Sequence, residues 1–181
     1  MKATGIVRRI DDLGRVVVPK EIRRTLKIRE GDPMEIYTDQ NGEIILRKYS
    51  PVGEMSEFAR QYVESLSKTT GQAVMICDKN TIVAASGSVK KDFLNKNISK
   101  LLSDIIEKRA LHQAKRDEKK FIQITDEKDE FQNQIIAPII CEGDTMGAII
   151  IANKDISQKL GDVETKLAVF AAAFMTKQLE V

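Results

Sequence analysis

The sequence predicts an α+β protein built from two unequal units, and three observations carry that expectation. Short β-branched or aromatic runs bounded by turn residues recur through the 181 residues. Three later segments, around Met55–Leu66, Phe93–Arg109 and Val163–Leu179, place apolar side chains at helical three- and four-residue spacing. Between the two kinds of pattern, Tyr49-Ser50-Pro51-Val52-Gly53 breaks the periodicity. The expected organisation is a first domain over 1–50, a linker over 51–54 and a second domain over 55–181.

In the first unit, Gly5–Ile10 holds three β-branched residues and reads as a short strand. Asp11-Asp12-Leu13-Gly14 supplies a turn, and Arg15–Val18 a second strand. Pro19 suits the start of a helix because its missing N–H has no helical partner there, so a short helix is expected over Pro19–Lys27. At about 100° per residue, Lys20, Arg23, Arg24 and Lys27 fall on one side of it and Ile22 and Leu26 on the other. Met34, Ile36 and Thr38 alternate with polar neighbours, as do Ile44 and Leu46, and the intervening Asn41-Gly42 is a strong hairpin signal. Four short strands and one short helix enclose little core, so this unit is expected to be an obligate dimer whose copies interleave their strands into one shared barrel.

The second unit opens with a helical stripe through Met55, Phe58, Ala59, Tyr62, Val63 and Leu66. Strands are expected at Ala73–Cys77, Ile82–Ala85, Phe121–Ile124, Gln134–Cys141 and Met146–Ala152, with a helix at Phe93–Arg109 and a last one at Val163–Leu179. That order implies an antiparallel sheet flanked by helices. The apolar stripes of the first and last helices suit either covering their own sheet or pairing in a dimeric bundle.

Charge narrows the function. The net charge is only +2, but nine cations face three acids between Lys2 and Arg29, whereas 18 cations and 19 acids follow Ser50. The longest apolar stretch, Leu167–Met175, is far short of the roughly 20 residues that a membrane-spanning helix needs. Met1-Lys2-Ala3-Thr4-Gly5 leads straight into strand-like residues without a secretory pattern, so a cytoplasmic location is expected. Cys77 and Cys141 match neither a disulfide framework nor a zinc site and read as small buried hydrophobes. One histidine, His112, in a charged segment reads as solvated surface and excludes any site needing two imidazoles from one chain. There is no phosphate-binding glycine loop with its lysine, and the Asp11-Asp12 and Asp129-Glu130 pairs sit in polar turns. The chain is not expected to be an enzyme, nor to need a cofactor or metal.

The arginines point elsewhere. Guanidinium groups are permanently charged, planar donors that suit phosphates and the guanine edge. Arg8, Arg9, Arg15, Arg23 and Arg24 cluster in the basic segment. Doubled by dimerisation, with about eight of them on phosphates, they predict a log–log salt slope of about −7. The short helix offers few outward side chains, so base reading is expected to be sparse and DNA shape important.

The run from Gly5 to Arg24, with its basic strand, Leu13-Gly14-Arg15 turn, Val18-Pro19 step and Ile22-Arg23-Arg24 helix, resembles the AbrB-type swapped-hairpin DNA-binding domain, and the likeness extends from about Lys2 to Tyr49. The second domain resembles a GAF sensor, and the whole chain is similar to the two-domain sporulation regulators of endospore-forming bacteria. The resemblance implies a sequence-selective regulator of transcription in the forespore, activating some genes and repressing others. It implies a homotetramer paired through N-terminal domains at one interface and sensor domains at another. It places DNA contacts on Arg8, Arg9, Arg15, Arg23 and Arg24, with Lys2 and Lys20 as weaker candidates. GAF domains that bind cyclic nucleotides carry an Asn-Lys pair followed by a Phe and an acidic pair. Here Asn153-Lys154 is present without the rest, which leaves open an unidentified small-molecule ligand or none. The main rival is an antitoxin, since toxin antidotes share the swapped hairpin; about 130 patterned residues after the linker argue against a disordered toxin-binding tail.

Overall fold

The computed structural model describes residues 4–180, which divide between two compact units, Met1–Tyr49 and Ser50–Val181. Lys2 lies outside the described residues.

The first unit contains one helix, α1 (Lys20–Thr25), and one hairpin, β1 (Met34–Thr38) with β2 (Ile44–Lys48), paired antiparallel from Met34 opposite Lys48 to Thr38 opposite Ile44. Helix α1 ends earlier than expected. Lys27 adopts a left-handed φ of 53°, the Lys27 N–H donates to the Arg24 carbonyl at 3.2 Å, and the Ile28 N–H reaches back to the Arg23 carbonyl at 2.7 Å. These two bonds close the helix as a Schellman turn does. The expected strands over 5–10 and 15–18 belong to no sheet. Strand backbone needs a hydrogen-bonding neighbour, and within one chain these segments share only the turn that joins them. None of residues 4–49 is buried, and Val7 and Val17 are 88% and 71% exposed.

The second unit is a five-stranded antiparallel sheet in the order β4-β3-β7-β6-β5, with β3 (Ala73–Asp78), β4 (Ile82–Ala85), β5 (His112–Lys115), β6 (Asn133–Cys141) and β7 (Asp144–Asn153). Side chains alternate between two cores because the strand period is two. Ile135, Ile139, Ile149 and Ile151 pack with Val74 and Ile76 beneath α3 (Ser56–Thr70) and α6 (Asp162–Leu179). Ile136, Ile150 and Met75 pack on the other face with Leu102, Ile106, Phe93 and Phe131, under α4 (Lys90–Phe93) and α5 (Lys100–Glu107). Burial on both faces explains the unbroken run Ile149-Ile150-Ile151. At Gly147 a Cβ would stand 1.9 Å from the Cys77 carbonyl oxygen, so the β3–β7 approach admits only glycine.

Three local expectations need correction. The segment read as a linker is a helical turn, α2 (Pro51–Glu54), capped by Ser50, whose Oγ accepts from the Gly53 N–H at 3.0 Å, and its Val52 is fully buried. The expected helix over 93–109 shrinks to α5: α4 ends at Phe93, and the chain is not helical again until Lys100. Between them the Asn95 N–H donates to the Ile82 carbonyl and the Ile82 N–H to the Lys96 carbonyl, both at 2.9 Å, so this stretch lies along β4 instead of coiling. The expected strand at Phe121–Ile124 is irregular: Ile122 N–H and C=O each meet the Gln134 side-chain amide at 3.0 Å, a side chain taking the place of a neighbouring strand. The edge strand is β5 instead, and it contains His112, which is half-buried and not the freely solvated group expected.

Candidate nucleic-acid interface

Arg8 and Arg9 lie exposed in chain without regular structure just before a turn that opens at Asp11 and closes at Arg15. The turn is pinned by Asp11. Its Oδ1 accepts from the Leu13 N–H at 3.0 Å and the Arg15 N–H at 2.8 Å, while Oδ2 pairs with Arg15 Nε at 2.8 Å. The Arg15 backbone N–H first, then its guanidinium, hold the Asp11 carboxyl below the usual carboxylate range. Gly14, at φ 75°, supplies the left-handed residue that the turn requires. The same hydrogen bonds recur at Asp39: its N–H donates to the Glu43 carbonyl, and its Oδ1 accepts from the N–H groups of Asn41 and Glu43, with Gly42 at φ 79°. Asp11 is therefore a positioning residue for Arg15, a role the sequence reading missed. The repeated Asp-x-x-Gly-x spacing was the available signal.

On α1, Lys20 and Arg24 are exposed, as is Lys27 beyond its end. Arg23 departs from that set: it is half-buried, and its Nε is buried without a hydrogen-bond partner among the described residues. Arg47, not singled out from the sequence, lies over the Tyr37 ring at 5.0 Å. Taken alone, the first unit brings together exposed guanidinium groups before and after one turn, and a helix bearing further cations.

Cys77 and Cys141 are buried and unbridged, and burial pushes both thiols up, away from the reactive thiolate. Among the described residues, no group of three or more His, Cys, Asp or Glu side chains is placed to hold a metal ion. Nor is any helix there long and apolar enough to cross a membrane. Asn153 and Lys154 are spent internally: Asn153 joins Asn133 at 3.0 Å and the Gln158 carbonyl at 2.7 Å, and Lys154 pairs with Glu130 at 3.1 Å.

Comparison with known proteins agrees with this division. Residues 7–54 match the family described as antidote-toxin recognition MazE, bacterial antitoxin, and residues 54–180 match stage V sporulation protein T C-terminal, transcription factor. The chain is 56% identical over 63 residues to the transition state regulatory protein AbrB of Bacillus subtilis (strain 168), covering 32% of this chain and 65% of that protein. The GAF domain of an Acinetobacter phosphoenolpyruvate-protein phosphotransferase superposes with a TM-score of 0.57 at 11% identity, over 74% of this chain and 84% of that one, a likeness of fold alone. An AbrB-type unit carrying exposed arginines and joined to a GAF-like sandwich defines a DNA-binding regulator of transcription. The chain belongs to the stage V sporulation protein T family: it is 50% identical over 181 residues to that protein of Bacillus subtilis (strain 168), covering 99% of each.

Proposed function

We propose that this chain regulates sporulation genes in the forespore cytoplasm, activating some and repressing others, as a sequence-selective binder of duplex DNA and not as an enzyme. Arg8, Arg9, Arg15, Arg23 and Arg24 are the contacts, with Lys2 and Lys20 in support. The observation that carries the reading is the first unit itself, which has no buried residue among those described and yet exposes Ile6, Val7, Ile10, Val16 and Val17 beside its arginines. Apolar side chains in such numbers need a covering surface, and a second copy that exchanges strands supplies one while doubling the cations. Arg23 fits this arrangement, because a buried donor left unpaired is costly and a second chain or a phosphate would satisfy it.

The second unit is proposed to pair dimers into a tetramer. The support is an exposed apolar strip on α6, where Phe170 is 63% exposed and stacks on Phe174, which in turn contacts Phe58 and Tyr62 of α3. The antitoxin reading is disfavoured by the full-length relative and by the folded unit over Ser50–Val181.

The test is a mobility-shift titration of promoter DNA with Arg23→Ala and Arg24→Ala variants across a salt series. Loss of binding, and a wild-type log–log slope of about −7, are expected. Unchanged shifts in both variants, or binding indifferent to salt, would reject the proposed surface. Native mass measurement of the intact protein reads the assembly.

A further inference from the structure

A second cation cluster lies far along the sequence from the arginines of the first unit. Lys115 and Arg116 at the end of β5, and Lys159 in the loop between β7 and α6, line one concavity of about 430 Å³, with Asn133 and the carboxylate of Asp117. Ile156, 80% exposed, completes its wall. Like charges gathered in a hollow repel one another, and neither Lys115 nor Lys159 makes an ion pair among the described residues.

The fold nevertheless fixes the segments that carry them. The Gln158 carbonyl, next to Lys159, accepts from the buried side-chain amides of Asn133 at 3.1 Å and Asn153 at 2.7 Å. Asp155, next to Ile156, accepts from the Ser157 N–H at 2.8 Å and its hydroxyl at 2.7 Å. The Arg116 N–H donates to the Gln132 carbonyl at 2.8 Å, and its guanidinium donates to the Phe131 carbonyl at 2.7 Å, pairs with the buried Asp129 carboxylate at 3.4 Å and lies over the Phe121 ring at 5.4 Å. Buried amides thus hold two segments, some forty residues apart, so that three cations share a cavity of the size small ligands occupy. A recess lined mainly by one sign of charge focuses the field and concentrates counter-ions.

We propose that this recess is a binding site for a compact polyanion, a small molecule bearing two or more phosphate or carboxylate charges, whose apolar part rests on Ile156. Lys115 and Lys159 supply the ammonium contacts, while Arg116, held by Asp129 and the Phe131 carbonyl, adds a fixed positive wall. A half-open recess of about 430 Å³ is of the size small ligands occupy.

The test is isothermal titration of the full-length protein, at constant ionic strength, with pyrophosphate and separately with citrate. Saturable binding at one site per chain is expected for at least one probe, and the preferred probe identifies the charged group. The Lys115→Gln/Lys159→Gln double variant, altered only at exposed positions, should bind about tenfold more weakly or worse, with unchanged melting and unchanged DNA shifts. Arg8→Ala/Arg9→Ala should bind the probe as the wild type does. The proposal is overturned by absence of saturable binding, by equal affinity in the double lysine variant, or by loss in the Arg8/Arg9 variant, which would place the anion on the DNA surface. Weakened DNA binding in the lysine variant without any probe binding also overturns it, and assigns these cations to the DNA footprint.

Discussion

The two units solve the burial problem in opposite ways. The second wraps both faces of a five-stranded sheet and buries Phe131, Met75, Ile135, Ile136, Ile149 and Ile150 almost completely within one chain. The first uses residues of the same kind, yet its valines and isoleucines around the arginine turn remain exposed. The contrast extends to identical local chemistry. The Asp39 turn is continued by a five-residue ladder, whereas the Asp11 turn, with the same hydrogen bonds, is continued by none. Turn chemistry is written locally, but the ladder beyond it depends on what lies alongside, and beside the Asp11 turn no strand lies among the described residues.

The sharpest way to break this contrast is to separate the units. Residues 50–181 should unfold cooperatively even on dilution, because their core is internal. Residues 1–53 should lose structure and DNA affinity on dilution, since subunit association then supplies all their burial. Circular dichroism melts across a concentration series measure both. A first fragment that stays folded as a monomer would remove the argument for a shared barrel.

Next in size is a cavity in the second unit. Phe131, fully buried and stacked on Phe93 at 5.4 Å, should cost about 3–5 kcal/mol on replacement by alanine. Val7→Ala, at an 88% exposed position, should cost almost nothing in a monomer. Denaturant titration of the two full-length variants therefore sharpens the comparison: any substantial loss in Val7→Ala reports burial against a second copy.

How much could be read from the sequence follows the same division. The strands Ile82–Ala85 and those around Ile135 and Ile149 were legible because two-sided burial leaves continuous apolar runs. The arginine set was legible from charge density, and Pro19 and Gly14 marked the breaks around it. Strand β5 was not, because His112-Gln113-Ala114-Lys115 buries only Ala114 and looks like a charged loop. Phe121–Ile124 misled for the converse reason: it is apolar and close to the sheet, but its backbone groups are taken by the side chains of Gln134 and Ser99 and the Ser99 N–H instead of a strand. The half-burial of Arg23 was invisible to a helical wheel, which assigns faces without knowing where the helix ends.

A smaller effect distinguishes the twin turns. Asp11→Ala frees Arg15 from its carboxylate and should weaken DNA binding a few-fold, while Asp39→Ala should loosen the β1–β2 hairpin and leave DNA affinity closer to wild type. Parallel mobility shifts and melts of the two variants measure this. Equal losses of DNA affinity would show that the Asp11 turn has no special role in aiming Arg15.

The smallest effect concerns pH and belongs to the second unit alone. Burial first, then the charges of Lys120 and Lys108, lower the His112 pKa below its ordinary 6.5, opposed by a hydrogen bond to the Lys120 backbone and by Glu118, and its Nε2 is buried without a partner among the described residues. The folded chain thus resists a proton that the unfolded chain accepts. Above pH 6.5 both states are neutral at this position and stability is at its full value. As pH falls below that value the unfolded state protonates first, and stability declines until the folded pKa is passed. In His112→Gln that decline should be absent, leaving a flatter stability profile on the acid side of neutrality. Denaturant midpoints of both proteins, taken in steps from pH 7.5 down to pH 5, resolve the difference, and identical slopes would show that the imidazole is solvated in the folded chain after all.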